Sequence, residues 1–396
     1  MRKSILLIVV LILVSCSSST WEYAVDYCDD KVHMTMSQVE YSVDSMPRNV
    51  LAGQTRWNMR ANTPQEWCSG FWGGCLWYDY ALTGQTDVLA AATATSNRML
   101  YLAKTPVYDH DLGFLTMTTL LNGYRFSPDE TIRQTYRAAL LDCADSLCVL
   151  FNPAVGTLMS WPRHLNDYGG HNTIMDNMIN LELLLWAYEQ TGKQAFYNIA
   201  LSHADTTMAY QFREDGTSYH VAVYDVESGK HMYNCTHQGI ADSSVWTRGQ
   251  SWAIYGYTMM YRFTHEPRYL AFAQKVTDIY LDLLHQQDTA NADHVPYWDF
   301  CDPRIPAAPK DASAACVVAS ALIELASYVE GEKAAYYRQE AEAMMLDLTN
   351  HYKAPAESPA ILAHSTGHHP AGSEIDASII YADYYYLEAL YRLIKQ

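Results

Sequence analysis

Five stretches of this chain repeat one joint, and that joint restricts the fold more than any other feature. They read "YDYALTGQTDVLAAA", "LLWAYEQTGKQAFYNIA", "MMYRFTHEPRYLAFA", "LASYVEGEKAAYYRQEA" and, as a variant, "NGYRFSPDETIRQTYRAA". Each has an aromatic helix end, a Gly or polar break, and a new helix entering with small and aromatic residues. Such joints make helical hairpins. Gly84, Gly192 and Gly331 suit the C′ position, where a left-handed residue ends a helix. Pro128 and Pro267 suit the first turn of the helix that follows. Helical spacing of apolar residues predicts about twelve segments, near 35–46, 68–82, 86–102, 112–124, 129–149, 173–191, 194–211, 247–264, 267–287, 311–330, 332–350 and 379–394. Strand-type alternation is weak except around Ser218–Tyr224, which reads as a hairpin arm.

The joints recur at uneven intervals of roughly 45 to 75 residues, whereas a tight solenoid keeps a fixed period. Twelve helices in six hairpins close into an all-α (α/α)6 barrel, a toroid with an inner ring about one axis and an outer ring covering it. An open α-solenoid is the alternative. Most Gly, Pro, His and Asp fall in loops around 103–111, 150–172, 212–246, 288–310 and 351–378. Long loops in compact domains carry function. On one rim of a toroid they would enclose a single site.

The amino terminus carries a separate message. Arg2 and Lys3 precede an apolar run from Ser4 to Val14, too short for the roughly 20 residues that span a bilayer. The run ends in Leu13-Val14-Ser15-Cys16 followed by Ser17-Ser18-Ser19-Thr20, which resembles a bacterial lipobox. The expectation is a lipoprotein signal peptide over 1–15, lipidation of Cys16, a tether over 16–30 and one barrel domain over 31–396. The mature chain would then be an exported lipoprotein, periplasmic or at the cell surface, touching the membrane through its anchor alone. An export compartment permits disulfides. Yet the eight other cysteines form no CxxC pair, so buried free thiols are expected and zinc spacing is missing.

The net charge of −18 excludes nucleic acid as a partner, because phosphate binding needs a basic surface. It also means that an anionic ligand would need local cations to outweigh the global field. The 31 Tyr and 10 Trp suit either helix packing or stacking on sugar rings.

Several motifs could carry chemistry. In "HDLGF", Asp111 follows His110 and opens a helix, either as an N-cap or as a functional acid. In "HNTIMDNMINLELLLWAYEQTG", Asp176 is expected one turn inside an apolar helix, between Met175 and Met178. Lost hydration there disfavours the ionised form, as a general acid requires, unless the side chain faces solvent. His220, His237, Gln238, Trp246, Arg248 and Trp252 crowd into about thirty residues. Arg248 and Trp252 lie four apart on one helix face, able to hold a carboxylate and a sugar ring or simply to pack on each other. Trp67, Trp72, Trp77 and Trp161 add candidate stacking surfaces, and Gly70, Gly73 and Gly74 permit close backbone approach. "GHHPAG" near His368 and His369 reads as a polar loop, without the partners a metal would need. No GxSxG elbow, HExxH or P-loop occurs.

Together these segments resemble the unsaturated glucuronyl hydrolases, glycoside hydrolase family 88, over about residues 30 to 394. "WCSGFWGGCLWYDYALTG", "HDLGF", "IMDNMINLELLLWA", "DGTSYHVAVYDVESG", "THQGIADSSVWTRGQSWAIYGY", "KDASAACVVASALIEL" and "IIYADYYYLEALYR" carry the resemblance through their order and spacing. It implies an (α/α)6 barrel and an enzyme that removes the terminal unsaturated uronic acid from lyase-generated oligosaccharides by hydrating its enol ether. It implies Asp176 and Asp111 as the catalytic pair. His110, His220, Gln238, Arg248, Trp252, Trp67 and Trp161 would line the site, with the loop at Ser365 near the adjoining sugar. It implies no metal or organic cofactor, a saccharide as the partner, and a monomer. A sister family acting on unsaturated rhamnogalacturonan products, or a non-catalytic glycan-binding surface lipoprotein, are the alternatives.

Overall fold

A computed structural model describes residues 20–40, 43–287 and 293–395. Twelve long helices occupy them. They are α1 (20–36), α2 (Phe71–Thr83), α3 (Thr86–Asn97), α4 (Leu112–Phe126, with a π-helical stretch over Met117–Leu121), α5 (Glu130–Leu147), α6 (Asn177–Thr191), α7 (Gln194–Tyr210), α8 (Thr247–Thr264), α9 (Pro267–Gln286), α10 (Ala312–Ala326), α11 (Gly331–His351) and α12 (Ile380–Lys395). The six even-numbered helices form an inner ring in which each packs on the next and α12 closes on α2. The others cover them from outside. This is the (α/α)6 barrel.

Burial separates the rings. Helix α6 is buried continuously from Asn177 to Ala187, as a helix enclosed on all sides must be. Helix α9 buries one stripe through Tyr269, Ala273, Val276, Thr277, Tyr280, Leu281 and Leu284, and leaves the rest half-buried or exposed. Inner helices also approach closely. A Cβ on Gly73 would meet Thr119 Cγ2 at 2.1 Å, and one on Gly74 would meet the Thr118 carbonyl at 2.6 Å. The glycines of "SGFWGG" therefore serve contact with α4, and Trp72 and Trp77 lie in the core rather than on a stacking surface.

The joints follow the predicted chemistry with two adjustments. Gly84 and Gly192 end α2 and α6 with φ of 73° and 69°, and Pro267 opens α9. Pro128 sits just before α5, whose cap is Asp129 accepting from Thr131 N and Ile132 N. Gly331 has φ 64° but starts α11 instead of ending α10.

Two expectations near the amino terminus are corrected. The segment 35–46 is not a helix of its own: among the described residues it holds only the end of α1 at 35–36, and β1 (Ser45–Val50) begins within it and pairs antiparallel with β2 (Asn58–Ala61). The helix lies earlier, because Ala24, Cys28 and Val32 recur every four residues and are buried. Residues 20–30 thus belong to the barrel and not to a tether. Lys31 Nζ donates to Ser358 O at 2.6 Å and Tyr27 Oη to Ile361 O at 2.8 Å, so α1 completes the outer ring beside α12. The signal segment and Cys16 lie outside the described residues. No described helix is long and apolar enough to cross a membrane. All eight described cysteines are free thiols.

Short strands decorate one rim. β3 (Phe151–Asn152) pairs with β4 (Thr157–Leu158), and β5 (His171–Ile174), β6 (Val221–Tyr224) and β7 (His231–Cys235) form a three-stranded sheet that contains the predicted arm. β8 (Ser378–Ile379) pairs with β1. At the opposite end, charges knit five inner helices. Arg125 and Arg262 hold Glu182 at 3.0 and 2.8 Å, Arg262 and Arg392 hold Glu324 at 2.9 Å each, and Glu388 accepts from Tyr78, Tyr255 and Ser320. Burial alone would raise the Glu182 carboxyl, but Arg262 and Arg125 outweigh it and hold it low.

Candidate active site

Every inner helix begins at the decorated rim, so six helix N-termini converge there with their partial positive charge. They surround a cleft of about 330 Å³ lined by Trp67, Asp111, Trp161, Asp176, Gln238 and Arg248 among others.

Asp111 and Asp176 stand at the N-cap positions of the neighbouring helices α4 and α6, and neither side chain caps its helix. Asp176 is thus at the helix start, not one turn inside, because the turn after β5 ends at that residue. Each acid faces a buried imidazole. His110 Nε2 is 3.5 Å from Asp111 Oδ1, and His220 Nε2 is 3.6 Å from Asp176 Oδ2. The backbone N–H groups of His237 and Gln238 both donate to His220 Nδ1 at 3.2 Å, so the proton of a neutral ring sits on Nε2, toward Asp176. Burial, then the charges of Asp109 and Asp176, push the Asp111 carboxyl well above the usual carboxylate range. Burial pushes His110 down to about 3 and His237 down to about 4.

Aromatic walls flank the acids. Trp161 stands edge-on to both His110 and His220, at 6.4 and 6.1 Å between centroids. Trp67 packs against Tyr381 at 4.9 Å. Trp252 departs from expectation. It is fully buried between Phe114 and Tyr385, behind the cleft, because its position on α8 faces the barrel axis.

Arg248 lines the cleft, but its N–H groups already serve other acceptors. Nη1 donates to Asp311 Oδ2 at 2.5 Å and Thr366 O at 2.6 Å, and Nη2 to Gly367 O at 2.5 Å. Gln238 Nε2 donates to the same Gly367 carbonyl at 3.0 Å. Both therefore pin the loop after Ser365. The segment 364–376 holds three non-glycine residues in left-handed backbone, His364, Glu374 and Asp376.

Sequence reasoning missed Arg48, Arg163, Glu374 and Tyr381, which also line the cleft. Arg48 forks onto Glu374 at 2.7 and 2.9 Å; against burial, that partner holds the Glu374 carboxyl low. Arg163 reaches Asp109 at 2.5 Å and lies over the Tyr108 ring. No local motif announces these pairs, since Arg48 and Glu374 are 326 residues apart. His368 lines the cleft, while His369 stacks on Trp298 at 4.2 Å outside it.

No family model matches the chain. Its sequence is 40% identical over 331 residues to an unsaturated glucuronyl hydrolase of Formosa agariphila, covering 83% of this chain and 80% of that one. It is 31% identical over 337 residues to an unsaturated chondroitin disaccharide hydrolase of Streptococcus pneumoniae, covering 83% and 82%. A crystal structure of an unsaturated glucuronyl hydrolase specific for heparin superposes with a TM-score of 0.85 at 34% identity, covering 94% of this chain and 96% of that one. With both acids, their histidines and the barrel in place, the chain belongs to the unsaturated glucuronyl hydrolases, and it is a glycoside hydrolase.

Proposed function

We propose that this enzyme removes the 4,5-unsaturated uronic acid from the non-reducing end of lyase-generated glycosaminoglycan fragments. One observation carries the reading: two carboxyls share a cleft, each met by a buried imidazole Nε2, where six helix N-termini converge. Each arginine of the cleft is already paired, Arg48 with Glu374, Arg163 with Asp109 and Arg248 with Asp311, so the positive charge left to face a ligand despite the net charge of −18 is that of the helix N-termini. A sugar carboxylate would meet those helix ends. Trp67 and Trp161 offer ring faces to it. Relatives named for heparin and for chondroitin support a glycosaminoglycan-type substrate.

The reaction is hydration. Asp176 gives its proton to C4 of the enol ether, and the C4=C5 electrons form the new C–H bond. C5 then carries oxocarbenium charge shared with the ring oxygen. Water adds at C5 and returns a proton to Asp176, which ends the cycle as it began. The hemiketal opens to a ketone, and the hemiacetal left at C1 releases the rest of the saccharide. Asp111 holds the sugar hydroxyls and offsets positive charge in the ring. Its buried carboxyl and the His220 contact to Asp176 set the two acids apart in environment. The same proposal places the enzyme outside the cytoplasm, anchored by lipid at Cys16.

The test is the loss of enol-ether absorbance from lyase-generated disaccharides of different linkage and sulfation. Asp176→Asn is expected to lower the rate by at least about a hundredfold with the far-ultraviolet spectrum unchanged. Full activity in that variant refutes the assignment, and decay only on rhamnogalacturonan products refutes the substrate class.

A further inference from the structure

Asn180 sits one turn into α6, fully buried, with no access to the cleft. Its side chain ties the two acid-bearing motifs together. The Phe114 backbone N–H, one of the orphan donors at the start of α4, meets Asn180 Oδ1 at 2.7 Å. A backbone N–H can only donate, so the atom facing it is the carbonyl oxygen, and the amide's other end must be the NH2 group. That NH2 lies 2.9 Å from His110 Nδ1 and donates to it. An imidazole nitrogen that accepts carries no proton. The proton of the neutral ring is therefore on Nε2, the atom 3.5 Å from Asp111 Oδ1. The neighbour facing Nε2 is thus a carboxylate oxygen, an acceptor, which agrees with a proton there.

We infer that Asn180 is a positioning residue: through the Phe114 N–H and His110 Nδ1 it fixes the Nε2–H tautomer of His110 and keeps a donor aimed at Asp111. The inference rests on Asp111 being part of the reacting pair. The fold reserves space for the arrangement. A Cβ on Gly113 would lie 2.3 Å from Asn180 Oδ1 and 2.7 Å from Asn180 Cα, so the glycine of "HDLGF" is what lets the amide reach that backbone. His220 has the same tautomer by different means, from two backbone N–H groups. The Asp111 side alone depends on one replaceable side chain. A wrong tautomer leaves a lone pair facing the carboxyl where a donor should be, and catalytic histidines held that way lose orders of magnitude in rate.

The tautomer can be read directly. In the whole enzyme with 15N-labelled histidine, long-range 1H–15N spectra distinguish Nδ1–H, Nε2–H and the doubly protonated ring. The His110 signal is assigned by its loss in His110→Gln. The expected result at pH 7 is a neutral ring with Nε2–H; an Nδ1–H or charged ring overturns the proposal. Asn180→Asp keeps the acceptor for Phe114 N–H and the shape, and replaces the donor by an acceptor. It should move the His110 proton to Nδ1 and lower kcat by about a hundredfold, with KM changed less than about threefold. A wild-type kcat, or an unchanged His110 signal, overturns it. Asn180→Leu, which offers neither group, should leave the tautomer unfixed if it folds. If instead Asp111→Asn is fully active while the wild-type spectrum shows Nε2–H, it is the catalytic role of Asp111 that has failed and not the tautomer assignment.

Discussion

Arg262 bridges two buried acids at the closed end of the barrel, and removing it tests whether that end is held by balanced charge. Its guanidinium lies 2.8 Å from Glu182 and 2.9 Å from Glu324. Arg125 and Arg392 are the other cations, and Glu388 the third acid, so three positive and three negative groups meet among the inner helices. Arg262→Met keeps the apolar stem and removes one cation. Glu182 then retains only Arg125, and Glu324 only Arg392. Breaking a buried pair costs roughly 3–5 kcal/mol, and the surviving partners place this variant near the lower figure. A chain of 396 residues has an unfolding entropy of about 0.8 kcal/mol/K, so the expected fall in Tm is roughly 4 °C. The assay is differential scanning calorimetry at pH 7, with Lys104→Met as the control. Lys104 pairs with Asp142 at an exposed site, where such pairs contribute about 0–1 kcal/mol, so the control should move Tm by no more than about 1 °C. Adding Glu324→Gln to Arg262→Met restores equal numbers of positive and negative groups and should recover part of the loss. Activity at 25 °C should survive, because the rim lies about 21 Å away along α8, fourteen residues from Arg262 to Arg248. A Tm for Arg262→Met within about 1 °C of wild type refutes the reasoning.

Two further outcomes concern the acids. Burial raises the Asp111 carboxyl, so its favourable contribution is complete below the ordinary carboxylate value and is lost as pH rises through the raised one. Asp111→Asn, which cannot ionise, should therefore melt higher than wild type at pH 7–8, with the advantage shrinking toward pH 4, while losing activity; a lower Tm at pH 8 than at pH 4 relative to wild type contradicts this. Gly113→Ala drives a methyl into Asn180 at 2.3 Å, and should cost about 1–3 kcal/mol in melting experiments together with most of kcat. Wild-type values for both would mean that α4 and α6 do not approach as closely as described.

What could be read from the chain alone was what short-range chemistry dictates. A left-handed glycine after an aromatic helix end, or an apolar face repeating every 3.6 residues, is decided within a few residues, so eleven of the helices emerge near their true bounds. Helix α1 was hidden because its stripe of Ala24, Cys28 and Val32 is weakly apolar and stands soon after the apolar run of Ser4 to Val14. The acids were legible as motifs, but their surroundings were not. Trp252 looked like a sugar platform from its spacing to Arg248, yet which side of α8 faces the axis depends on six helices at once. Arg48 finds Glu374 only when β1 pairs with β8 across the closure of the ring. The apparent conflict between a charge of −18 and an anionic ligand has the same origin. Net charge sums the whole surface, whereas the cleft feels the nearest groups. Inner helices that all start at one rim bring their positive ends together there, and the three arginines beside them are each paired with an acid, while Asp142, Asp145 and Asp167 sit on the exposed surface. A barrel of this topology can thus offer a ligand the positive ends of its inner helices even from a strongly acidic chain, through chain direction and not through composition.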